Sequence, residues 1–315
     1  MNETQMQTGG MSHLRLSKLK HNNGTLSRMN ELRVVRKTQN VLGEGPCWDP
    51  VSGRIWWFDI VGRKIFWTMP DGANHGEFDL PMRASVATPT ASGELLIVAE
   101  DGLSIFDRDT GALRKVLPAP DFAEGFRSND GKVDMAGRLW WSSMDDDGGT
   151  RPGSIFRYGP NGNTQMIDGV HIANAMAFSP DGATFYLADS KLAKIEAISI
   201  EPATGDILDR RIFATFTDGA PDGAAMDAEG CLWVAIWGGS RVERYRPDGT
   251  LDRVVKTPIE QPSCCIFGGP DLATLFITSA RVGLPTNKLA AQPLAGALFA
   301  FEPGVPGVVI PPLFC

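Results

Sequence analysis

FRSNDGKVDMAGRLWWSSMDDDGG, residues 126–149, opens with arginine, asparagine and aspartate around a glycine, passes through an aromatic run and ends in three aspartates. Its centre, GRLWWSS from Gly137, is one copy of a pattern that recurs along the chain. The other copies are GRIWWFD from Gly53, GELLIVA from Gly93, GATFYLAD from Gly182, GCLWVAI from Gly230 and DLATLFITS from Asp271. Successive anchors lie 40, 44, 45, 48 and 41 residues apart. Each apolar triplet is strand-like in composition. A second strand ending in a Pro, Asp, Asn or Gly turn follows, as in KIFWTMPDG, SIFRYGPNG and VERYRPDG.

Six units of this length, each built of short strands, predict an all-β protein, a six-bladed β-propeller. A parallel βαβ protein needs helical periods between its strands, and none is present. Two β-sandwiches are the alternative, but they leave the regular period unexplained. Residues 31–315 are therefore read as one propeller domain. ELRVVRKT, residues 31–38, is expected to add an outer strand to the last blade and close the ring. Residues 1–30 read as a disordered extension with scattered basic residues, Met11 and Met29 being later candidate starts.

The same period aligns the residues ahead of each apolar triplet. Glu44 lies nine residues before Gly53; Ser85, Asn129, Asn174, Asp222 and Ser263 each lie eight before their own anchor. Equivalent positions of successive blades form a ring, so these side chains are expected to face one central channel. Two carboxylates and two amides there, with few cationic partners, suggest a cation, because buried carboxylates are costly unless paired or metal-bound. An all-oxygen set favours Ca²⁺, Mg²⁺ or Mn²⁺ and also admits Zn²⁺ or Fe²⁺. A water-filled channel without an ion is the competing reading.

The formal net charge of −7 argues against a nucleic-acid partner. No apolar run approaches the ~20 residues of a membrane span, and no signal-peptide hydrophobic region appears. Five cysteines (Cys47, Cys231, Cys264, Cys265 and Cys315) form no CxxC pair. They read as small buried residues in a reducing cytoplasm. His13, His21, His75 and His171 are too few for a three-histidine zinc site, and no G-x-S-x-G elbow supports a serine triad. His171 reads as a loop residue near the mouth. Trp56, Trp57, Trp140, Trp141 and Trp233 read as inter-blade core, and Trp237 as a pocket-lining candidate.

The chain resembles the senescence marker protein/gluconolactonase/regucalcin family from about Leu32 to Phe301. The resemblance rests on LGEGPCWD (42–49), RSNDGKVDMAGRLWWSSM (127–144), NAMAFSPDG (174–182), PDGAAMDAEGCLWVA (221–235) and SCCIFGGPDLATLFITSA (263–280). It implies a central metal site in which Glu44, Asn174 and Asp222 bind one divalent ion: calcium, zinc, magnesium, manganese or iron. It implies Asp222 as catalytic acid/base. Arg127 and Asn129 are implied to bind substrate, with Asn129 near the metal, and Asp147 to contact substrate, with Asp145 and Asp146 as alternatives. The implied reaction is hydrolysis of an aldonolactone, such as xylono-, arabino-, galactono- or gluconolactone, to the aldonic acid. The implied partner is that small molecule, for a monomer or weak homo-oligomer. Two departures, Asn174-Ala175 for the family's frequent Asn-Gly and PDGA for PDGM, concern the pocket's shape. A lactonase or organophosphate esterase for non-sugar substrates and a non-enzymatic calcium-binding protein are the other readings.

Overall fold

The computed structural model describes Met1, residues 32–120 and residues 124–314. The rest of the expected N-terminal extension, with His13 and His21, lies outside the described residues, as does Cys315. The described strands form six four-stranded antiparallel sheets. Their innermost strands are Gly43–Asp49, Ala84–Pro89, Phe126–Val133, Ala173–Phe178, Ala220–Met226 and Pro262–Gly268. Each packs against the next around the ring, and the sixth returns to the first. The protein is a six-bladed β-propeller.

The second strand of each blade explains the aromatic repeat. It is buried on both faces, so it reads as a continuous apolar run rather than an alternating one. Neighbouring residues point to opposite faces and serve different interfaces. Trp56 packs with Leu95 and Ile97 between the first and second blades, while Trp57 packs with Ile266 and Phe276 between the first and sixth. Trp141 and Trp140 divide in the same way between the two flanks of the third blade. All five tryptophans read as core are fully buried.

The turn after each inner strand needs a left-handed residue. Gly53, Gly93, Gly137, Gly182 and Gly230 supply it in five blades. In the sixth blade Leu272, at φ 53°, occupies this position, one residue beyond the Asp271 anchor of the sequence pattern. Beneath two of these turns a buried aspartate gathers the local donors. Asp227 accepts hydrogen bonds from the N–H groups of Glu229 and Cys231, from Trp233 Nε1 and from Arg244 Nε at 2.8–3.0 Å. Asp134 does the same for Arg138 and Trp140.

Arg33–Arg36 is the outermost strand of the sixth blade and pairs antiparallel with Leu298–Phe301. The ring is thus closed by strands from both ends of the chain, as the sequence predicts. After the last strand the chain crosses the face on which the inner strands end. Gly307 bridges to Asp227 in the fifth blade, and Leu313 bridges to Thr90 in the second.

Candidate functional site

Every inner strand carries a β-bulge at the ring position. The register shifts fall between Glu44 and Cys47, Ala84 and Val86, Ser128 and Gly131, Asn174 and Ala177, Pro221 and Ala224, and Pro262 and Cys265. A bulge re-aims side chains and interrupts strict alternation. Gly45 and Ala175, one residue after Glu44 and Asn174, both take left-handed conformations, at φ 53° and 50°. Gly45 has no choice of residue: a Cβ there would lie 1.9 Å from the backbone oxygen of Ser85. Ala175 bears the strain that glycine would avoid.

The six ring residues divide into two kinds. Ser85 and Ser263 tie blades together: Ser85 Oγ donates to Ser128 Oγ at 2.8 Å, and Ser263 Oγ donates to the Gly43 carbonyl. The other four gather around a common electrostatic centre. Asn129 Nδ2 donates to Asn174 Oδ1 at 3.0 Å and to the Ala173 carbonyl at 2.9 Å. Asn174 Nδ2 donates to Ser190 Oγ at 2.9 Å, and Ser190 in turn donates to the Pro221 carbonyl beside Asp222. This chain fixes both amide planes and leaves a second lone pair on Asn174 Oδ1.

Asp222 is buried, and burial with the nearby Glu44 and Asp130 charges pushes its carboxyl well above the ordinary range. Glu44, half-buried by surface area, is pushed up to about 8, first by loss of solvation and then by Asp130, with the Gly45 N–H opposing. Asp130 is a third channel carboxylate, also raised by burial; it accepts from the N–H groups of Gly131 and Met176 at 2.7 and 2.9 Å. Alternation would turn it away from Asn129, but the bulge brings both toward the channel. The NDG run is the only trace of it in the sequence.

Arg127 is 7% exposed and held on three sides. Its Nε donates to Asp146 at 2.9 Å, and Nη1 donates to the Ser128 carbonyl and Asn129 Oδ1 at 2.9 and 2.8 Å. Arg83 grips the other oxygen of Asp146 at 2.6 Å. The three aspartates therefore differ. Asp145 is buried and held down to about 2 by Arg151. Asp146 orients Arg127, and Asp147 lies exposed at the turn, where its carbonyl accepts from Thr150. Trp237 is half-buried at the end of its strand, opposite Ala220. His171 is anchored at the mouth by Asp189, 3.1 Å from its Nδ1.

Among the described residues no three His, Cys, Asp or Glu side chains converge into a metal cage by themselves. The candidate donors instead combine the Glu44 and Asp222 carboxylates with the Asn174 amide oxygen. This hard-oxygen set fits a divalent cation. Burial raises both carboxyls, a penalty that a bound divalent cation would offset.

The chain matches the model for the SMP-30/Gluconolactonase/LRE-like region over residues 42–281. It is 35% identical to L-arabinolactonase of Azospirillum brasilense, covering 85% of this chain and 91% of that protein. It is 33% identical to 6-deoxy-6-sulfogluconolactonase of Pseudomonas putida, covering 90% and 99%. Its fold superposes on the calcium-binding protein regucalcin from Agrobacterium tumefaciens with a TM-score of 0.86 and 33% identity, covering 90% and 98% of the two chains. With the family model matched over most of the chain and relatives this similar along nearly their whole length, the chain belongs to the SMP-30/gluconolactonase/LRE-like family.

Proposed function

We propose that the protein is a metal-dependent sugar lactonase that hydrolyses an aldonolactone to its aldonic acid. The observation that carries the reading is the channel constellation: raised carboxyls on Glu44 and Asp222 beside the fixed amide of Asn174 and the oriented guanidinium of Arg127. Its relatives named for arabinolactone and sulfogluconolactone hydrolysis support the substrate class.

Glu44, Asn174 and Asp222 would hold one divalent ion. When bound, that ion supplies Lewis acidity that activates the lactone carbonyl and stabilises negative charge on its oxygen. Asp222 accepts the proton of the attacking water as the carbon–oxygen bond forms. It returns that proton to the ring oxygen as the lactone bond breaks, and the new carboxylic acid ionises to release one proton. Arg127, with Nε and Nη1 engaged within the protein, presents Nη2 to substrate oxygens. Asn129 links Arg127 and Asn174, accepting from one and donating to the other, and lies beside the metal and substrate. Asp147 contacts substrate hydroxyls from the rim, where Asp146 is committed to Arg127.

The test is proton release from xylono-, arabino-, galactono- and gluconolactone with chelated and metal-restored protein. Turnover is expected only with metal, and Asp222→Asn is expected to lower it by about 10²–10⁴-fold. A folded, metal-loaded protein that hydrolyses none of these lactones would refute the assignment.

A further inference from the structure

The segment that crosses the far face of the ring encloses a cavity of about 440 Å³ against the channel wall. This volume lies within the range of small-molecule sites. Val86, Ile266, Phe267, Val308 and Ile310 make its sides largely apolar. Val51 and Val309, which also line it, are 62% and 73% exposed, so an apolar collar surrounds the opening. Exposed aliphatic groups clustered around an apolar cavity mark a binding surface.

The inner end is different. Asp130 and Lys132 line it, below the carboxylates of the candidate active site. Lys132 is half-buried, and among the described residues it makes no hydrogen bond or ion pair. Its charge acts on Asp130 and Glu44 without direct contact, and the Asp130 oxygens accept from the N–H groups of Gly131 and Met176. A lysine head group with no carboxylate hydrogen-bonded to it keeps its three donors available to a ligand. A ligand that brings an anionic head to Lys132 and an apolar body to the cavity answers both features.

We propose that this cavity binds an amphipathic carboxylate, its chain between the crossing segment and the blade wall and its head on Lys132. The site lies on the opposite face from the lactone pocket and stands independently of the lactonase reading. The probe is decanoate, titrated calorimetrically into the full-length protein in chelating buffer, so that no metal can hold the carboxylate. Decanol serves as the uncharged control. Saturable one-to-one binding of decanoate is expected, with decanol at least about tenfold weaker. Lys132→Met should weaken decanoate by about tenfold or more and leave decanol unchanged. Ala91 lies exposed at the opening, and Ala91→Trp should weaken both. Thermal melts establish that each variant is folded. Absence of saturable decanoate binding to the wild-type protein overturns the proposal, as does decanol binding equally well. Decanoate binding that survives both substitutions overturns it too.

Discussion

Glu44 and Asp222 are carboxylates kept where a carboxylate is least comfortable. Glu44 titrates near pH 8 in the folded protein because burial disfavours its charge, whereas in the unfolded chain it titrates near 4.5. Between those values the folded state holds a proton that the unfolded state has released, so raising the pH favours unfolding. The melting temperature of chelated protein is therefore expected to fall as pH rises from about 5 to about 8 and then level off. Glu44→Gln should lessen that slope, Asp222 and Asp130 carrying the remainder because burial raises them too, and a divalent ion should reverse it by taking the proton's place. Calorimetric melts across pH check this; a slope unchanged in the variant would show that Glu44 is not its source. Asp227 presents the opposite case, a buried charge fully partnered by Trp233, Arg244 and two backbone donors. Asp227→Ala leaves Trp233 Nε1 and two backbone N–H groups without their buried acceptor, while Arg244 keeps Asp252 and Glu229, and should cost at least about 2 kcal/mol in denaturant unfolding. At this scale the shared ring position of Glu44, Asn174 and Asp222 was legible because the repeat assigns each an equivalent place on its inner strand. Asp130 and Asp146 were not: one is turned inward by a bulge, the other lies in a turn where three like residues leave no periodicity to read.

The inner strand with its bulge is the element that converts repetition into a site. Its bend demands a left-handed residue after the ring position in the first and fourth blades, which differ in how they meet the demand. Gly45 sits against the backbone of Ser85, so Gly45→Ala should displace the strand and cost more than about 2 kcal/mol. Ala175 already carries the penalty, and Ala175→Gly should restore up to about 1 kcal/mol without harming activity. Equal effects at the two positions would show that backbone conformation is not what distinguishes them. The second strands were legible in full because burial on two faces imposes an unbroken apolar run, and the tryptophan pairs mark it. Bulges leave no such compositional mark. The sixth blade shows the limit: Leu272 fills the turn position that glycine identifies elsewhere, so the anchor falls one residue away from where the pattern places it.

The ring as a whole is held by its closure. Among the described residues, only Arg33–Arg36 and Leu298–Phe301 join the early and late parts of the chain within one sheet. A chain lacking the residues through Arg36 leaves the Leu298–Phe301 edge unpaired and is expected to lose at least about 2–3 kcal/mol, or about 5–10 °C in melting temperature. An unaltered melt would mean that the remaining blades close without it. The propeller and its closing strand were legible at this scale, whereas the crossing segment PGVPGVVIPPLF lies outside the repeat and carries no periodic signal. The closure also bears on how the protein is made. A ribosome delivers the partner strand Leu298–Phe301 about 260 residues after Arg33–Arg36. At about 5–20 residues per second, the wait is on the order of tens of seconds. During that interval the nascent ring is an open arc with an unpaired edge at each end, so chaperone demand and the fate of prematurely terminated chains are set by the position of one four-residue strand.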